Sequence, residues 1–193
     1  MSASTTALTL QEFPRGLETP NCATELMRAT EGVLSQGLTL LFELEDGTYS
    51  KTAGAPFHAS IGGHYRHLLE HFESLITGLR AGEINYDARE RNLRLQSEVT
   101  YASIVTCDVL RALKRYLPET LSRHCKVINS VGYSASQPFL MDSNVGRELA
   151  YCIGHAIHHY AIIRLICHEL HVRVPAEFGV APSTLKHRAA AAS

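Results

Sequence analysis

Four stretches of this chain repeat their apolar residues at the 3.6-residue helical period, and that pattern admits few folds. The first runs from about Cys22 to Glu45, with Leu26, Ala29, Val33, Leu34, Leu38 and Leu41 on one face. The second, from about Ser60 to Leu79, places Ile61, Tyr65, Leu68, Phe72, Leu75 and Leu79 on one line. Gly78 and Gly82 mark its end. Asp87 is suited to cap a third helix of roughly 30 residues, which a proline at Pro118 stops. Its core face is Leu95, Val99, Ala102, Val109, Leu113 and Tyr116. Ser143 or Asn144 caps a fourth helix that reaches about His171. A helix with one apolar stripe has to bury it against neighbours, so the expected fold is all-α, an up-down four-helix bundle.

The stretches between the helices carry turn formers. Residues 45–56 read as a loop. Within 124–142, Lys126-Val-Ile-Asn-Ser-Val131 and Phe139-Leu-Met141 flank the segment from Gly132 to Pro138. That pattern fits a small β-hairpin inserted before the last helix, with an ordered loop as the alternative. Residues 1–20 form an irregular lead-in and residues 172–193 an extended tail, around a single domain. There is no βαβ alternation, and Ile61-Gly-Gly-His64 lacks the lysine of a phosphate loop.

Composition removes several function classes. The net charge is −1, with no basic stripe for nucleic acid. No apolar run approaches the ~20 residues of a membrane helix, and no signal peptide is visible, so a cytoplasmic location is expected. Cys22, Cys107, Cys125, Cys152 and Cys167 form no CxxC and read as reduced thiols. The mixed-sign cluster from Asp87 to Arg94 reads as a solvated first helical turn. Broad apolar helix faces leave room for a homodimer.

Histidine is the unusual component: seven of eleven fall within residues 58–71 and 155–159. His155 and His159 are four residues apart on the fourth helix, so their rings share a face and can aim at one point about 2 Å from each. They border the apolar row of Leu149, Ile153, Ala156, Tyr160 and Ile163, whereas His158 points away. On the second helix His64, His67 and His71 fall within about 60° of each other. Three imidazoles from two helices, with a vacant fourth position, match an open zinc-type site. Periodicity does not choose the third ligand, and by apolar angle His64 lies nearer the core than His67.

The segment Gly63-His-Tyr-Arg-His67-Leu-Leu-Glu-His71-Phe72 resembles the second-helix motif of the DinB/YfiT-like family, in which a His followed by Leu supplies one metal ligand. Gly154-His155-Ala-Ile-His158-His159-Tyr-Ala-Ile-Ile163 resembles the fourth-helix motif, which supplies two more. The resemblance implies ligands at His67, His155 and His159, a four-helix bundle, and a divalent ion, zinc or nickel. It further implies a thiol-dependent transferase, of which some members use bacillithiol or mycothiol and many have no assigned activity. The chain departs from the pattern at His64, a usually apolar position, and in its 124–142 insertion and long tail.

The resulting expectation is a metal-dependent transferase or hydrolase that activates a thiol or water against a small electrophilic substrate, without nucleic-acid or membrane partners. The alternative is a non-catalytic, metal-binding stress-response protein. No catalytic residue is assigned. Glu148, two turns before His155, can hydrogen-bond a ligand's second nitrogen or serve as a base, a surface salt bridge being the plainer reading. Tyr86, Asp87, Arg89 and Arg91 can line a pocket mouth for an anionic substrate. Cys152 reads as a small buried apolar residue.

Overall fold

A computed structural model describes residues 22–56, 58–116, 120–130, 132 and 138–192. The expected lead-in, the stop at Pro118 and the centre of the hairpin turn lie outside these residues. The chain is mostly helical: α1 (Cys22–Phe42), α2 (Asp46–Ser50), α3 (Ile61–Ala81), α4 (Arg94–Ser97), α5 (Val99–Tyr116), α6 (Val145–Glu169) and α7 (Pro182–Ala191), with β1 (Glu83–Asn85), β2 (His124–Asn129) and β3 (Phe139–Asn144). Among the described residues, no helix is long and apolar enough to cross a membrane.

The four periodic stretches supply the long helices α1, α3, α5 and α6. Helix α3 packs on α5 and α6, and α1 packs on the same two. Their buried stripes meet in one core, where Leu34, Leu41, Tyr65, Leu68, Phe72, Leu149, Tyr160 and Ile163 are all but excluded from water. Ser60 starts α3 by accepting a hydrogen bond from the Gly63 N–H at 3.0 Å. Gly82 ends it in the left-handed region, φ 76°, and its N–H closes on the Gly78 carbonyl. Asn144 rather than Ser143 caps α6, accepting from the Arg147 N–H at 2.9 Å.

Several expectations are corrected. The loop after α1 contains the short helix α2. The third helix does not begin at Asp87. The Asn85 side chain accepts from the Asp87 and Ala88 N–H groups, turning the chain, and Asp87 itself accepts from the Ser130 N–H. Helical structure starts at Arg94, breaks at Glu98 (φ −118°, ψ 105°) and resumes at Val99. The tail read as extended carries α7.

The hairpin is present as β2 and β3, paired antiparallel from His124↔Asn144 to Asn129↔Phe139. A third strand, β1, joins β2 in parallel from Glu83↔Lys126 to Asn85↔Ile128. The sheet therefore ties the end of α3 to the start of α6. Cys125 and Val127 of β2 point into the core beside it.

Candidate metal centre

The Ser60 cap sets the register of α3, and the Asn144 cap sets that of α6. With those registers, His67 from α3 meets His155 and His159 from α6. Each contributes one ring nitrogen to a group whose atoms all lie within 4.8 Å of one another. The ring centroids are 5.0 Å apart for His67 and His155, 4.6 Å for His67 and His159, and 4.5 Å for His155 and His159. His158 is exposed and outside the ligand group, although its ring meets that of His159 edge-on at 5.3 Å.

The donor set suits a divalent ion. Burial, then the neighbouring imidazoles, lowers His155 to about 3 and His159 to about 2; burial, His71 and Arg89 lower His67 to about 4. All three rings are therefore neutral near pH 7 and carry free lone pairs. The Nε2 of His155 is buried and has no hydrogen-bond partner among the described residues. A buried imidazole nitrogen without a partner is costly, and coordination to a cation would satisfy it. Three imidazoles without a carboxylate suit zinc, nickel and similar borderline ions better than calcium or magnesium.

The other two histidines of α3 differ. The His71 ring lies 4.1 Å from that of His155, but both its nitrogens are engaged. Its Nδ1–H donates to the His67 carbonyl at 2.8 Å, and its Nε2 accepts from Arg89 Nη1 at 3.2 Å. His64 contacts His159 instead, with the two Nδ1 atoms 2.9 Å apart. His64 is thus beside the cluster rather than in place of His67.

Around the histidines the structure assigns partners that the sequence reading missed. Arg89 extends from the irregular segment after β1 to Glu70, at 3.5 Å, and Arg66 reaches the other carboxylate oxygen at 3.5 Å. Glu70 is 4% exposed and its one carboxylate faces both guanidinium groups next to the cluster. The i,i+4 spacing of Arg66 and Glu70 was a readable signal, whereas Arg89 gave none. Tyr151, one turn before His155, stacks on it at 5.6 Å, and Tyr86 stacks on His71 at 5.2 Å.

One role assignment fails. Glu148 touches no histidine: it accepts from Tyr86, Ser143 and Arg147, and is buried rather than on the surface. The Tyr86 hydroxyl is taken up by Glu148, whereas Arg89 pairs with Glu70 and His71 at the edge of a cavity. Cys152 is buried as expected, which pushes its thiol up to about 12. A cavity of about 180 Å³ borders Tyr86, Tyr151, Arg147 and Glu148. A larger one, about 380 Å³, borders Glu70, Glu73, Arg89 and Glu90. Neither is lined by His67, His155 or His159.

No family model matches the chain. A stretch of 104 residues, 54% of the chain, is 38% identical to FK506-binding protein 5 of Rhizopus delemar. That match covers 27% of the relative, so the chain spans about a quarter of its length. Among solved structures, YjoA of Bacillus subtilis, a DinB-like protein, matches with a TM-score of 0.56 at 13% identity. The match covers 81% of this chain and 99% of that one, and it shows a DinB-like fold.

Proposed function

We propose that the chain is a DinB-type four-helix bundle, formed by α1, α3, α5 and α6, in which His67, His155 and His159 hold one divalent ion, zinc or nickel. The observation that carries this reading is the buried, unpartnered Nε2 of His155 beside two other neutral imidazoles within 4.8 Å. The fold neighbour supports the architecture. When bound, such an ion supplies Lewis acidity, which acidifies a thiol or water at neutral pH.

The chain's own residues supply the rest of the site. His71 and Arg89 lock the α3 side, because His71 bonds the His67 carbonyl while Arg89 holds its other nitrogen. Tyr151 covers one face of His155 and limits water there. We assign the centre to the transfer of a low-mass thiol onto a small electrophile. The five free cysteines fit the reducing cytoplasm that such thiols require. A second reading, a metal-binding protein without catalysis, is favoured by one observation: none of the three histidines lines either cavity described above.

Elemental analysis and titration of the chelated protein with zinc and nickel test the centre. One equivalent should bind, and His155→Ala should abolish stoichiometric binding while leaving helicity intact, since the core does not involve the ion. Absence of binding by the parent protein would sink the reading. Assays pairing low-mass thiols with electrophiles, with and without chelator, then separate the two functions. Thiol consumption that stops on chelation supports transfer; bound metal with no thiol consumed supports the non-catalytic protein.

A further inference from the structure

His64 has no part in the ligand group, yet it touches one of its members. Its Nδ1 lies 2.9 Å from the Nδ1 of His159, with the ring centroids 5.2 Å apart and the planes inclined by 38°. This is an edge-to-edge hydrogen bond rather than a stack. Two neutral imidazole nitrogens at that distance share one proton, because two lone pairs or two N–H groups facing each other repel. The proton has two possible homes.

If it sat on His64, the Nδ1 of His159 would accept it, and a neutral His159 would carry its own proton on Nε2. Neither nitrogen of His159 would then have a lone pair for an ion. If it sits on His159 Nδ1, the Nε2 of His159 is left with its lone pair. Only this second arrangement is compatible with His159 as a ligand. We infer that His64 is the positioning residue of the centre, accepting the Nδ1 proton of His159 so that His159 coordinates through Nε2.

This inference rests on the metal-centre reading and goes beyond it by giving a role to His64, one of the two α3 histidines outside the ligand set. Ligating histidines commonly donate their second N–H to a carboxylate, a backbone carbonyl or water, which fixes the tautomer and the ring orientation. Here an imidazole takes that place. The helix start sets it up: the Ser60 cap fixes the first turn of α3, and His64 follows one turn later, next to His159 on α6. His71 is not available for the same task, since both of its nitrogens are bonded to other groups. The arrangement also explains why His64 is not a replacement for His67. It acts on the ion through His159.

The test uses the full chain labelled with 15N at histidine, metal-free and with one equivalent of zinc. Long-range proton–nitrogen correlation spectra should show the His159 proton on Nδ1 in both states, and zinc on its Nε2. Zinc affinity, measured by competition with a chromophoric chelator, should fall about 10–100-fold in His64→Leu, the range expected for losing an outer hydrogen-bond partner. His64→Asn, whose amide oxygen can accept the same proton, should recover most of that loss. Circular dichroism of both variants separates a positioning effect from misfolding. A proton on Nε2 of metal-free His159, zinc bound directly to a His64 nitrogen, or a His64→Leu variant binding zinc like the parent would each overturn the inference. Failure of the parent to bind zinc would remove the metal-centre reading instead, and the tautomer in the metal-free protein would still decide the His64–His159 bond.

Discussion

A carboxyl group taken out of water needs donors, and Glu148, only 1% exposed, has three: the Tyr86 hydroxyl, the Ser143 hydroxyl and the Arg147 guanidinium. Tyr86→Phe keeps the ring that stacks on His71 and removes only the hydroxyl bonded to Glu148 at 3.0 Å. Leaving a buried acceptor short of a donor costs about 1–3 kcal/mol. The urea midpoint should fall accordingly with an unchanged slope, and an unchanged midpoint would show that Ser143 and Arg147 suffice. At this scale the sequence was uneven. The His155–His159 pair is legible because an i,i+4 spacing is a local property of one helix. The choice between His64 and His67 is not legible from periodicity, since it depends on how α3 is rotated against α6, and only the motif resemblance pointed to His67. The partners of Glu148 come from the residue just after β1, from β3 and from α6, a conjunction that no helical wheel contains. Arg89 is the same case: it looked like a solvated charge, but its partners are on α3.

Between elements, α3 comes close to α4 at Gly62. A Cβ placed on Gly62 would lie 2.0 Å from the Gln96 carbonyl oxygen and 2.9 Å from Tyr49 Cε1. Glycine to alanine inside a helix ordinarily stabilises by up to about 1 kcal/mol. Here the added methyl meets backbone, and overpacking of that kind costs about 1–3 kcal/mol. The sign should therefore reverse. Gly62→Ala should lower the thermal midpoint, whereas Gly32→Ala on α1, where nothing lies within 4 Å of the added atom, should not. A midpoint for Gly62→Ala at or above the parent's would sink the argument. The long helices were legible because each repeats its apolar period over about five to seven turns. The short elements were not: α2, α4 and β1 have three to five residues each and owe their shape to long-range contacts. Tyr49 of α2, for example, donates its hydroxyl to the Leu95 carbonyl. Asp87 misled because it has good capping chemistry, yet it accepts from Ser130 beyond β2 instead.

For the whole molecule, the histidine cluster makes stability depend on pH in a direction that can be worked out. In the metal-free protein, burial lowers His67 and His71 from 6.5 to about 4, His155 to about 3 and His159 to about 2. Below pH 6.5 the unfolded chain gains protons at these positions while the folded chain does not, so stability falls as the pH drops from 6.5 towards 4. Glu73 acts in the opposite sense. Burial, with Glu70 and Glu90 nearby, raises it from 4.5 to about 7, so its contribution declines as the pH rises through that interval. Four histidines oppose one glutamate, and the histidines prevail between pH 6.5 and 4.5. The urea midpoint of the metal-free protein should fall steadily from pH 7 to pH 5, and His155→Ala should make that fall shallower. Zinc binds only the neutral rings, so at 100 times its dissociation constant it should add about 2.7 kcal/mol at pH 7 and progressively less in acid. A metal-free midpoint that stays flat from pH 7 to pH 5 would mean that the four rings are hydrated in solution, and the close cluster of neutral imidazoles would not survive that result.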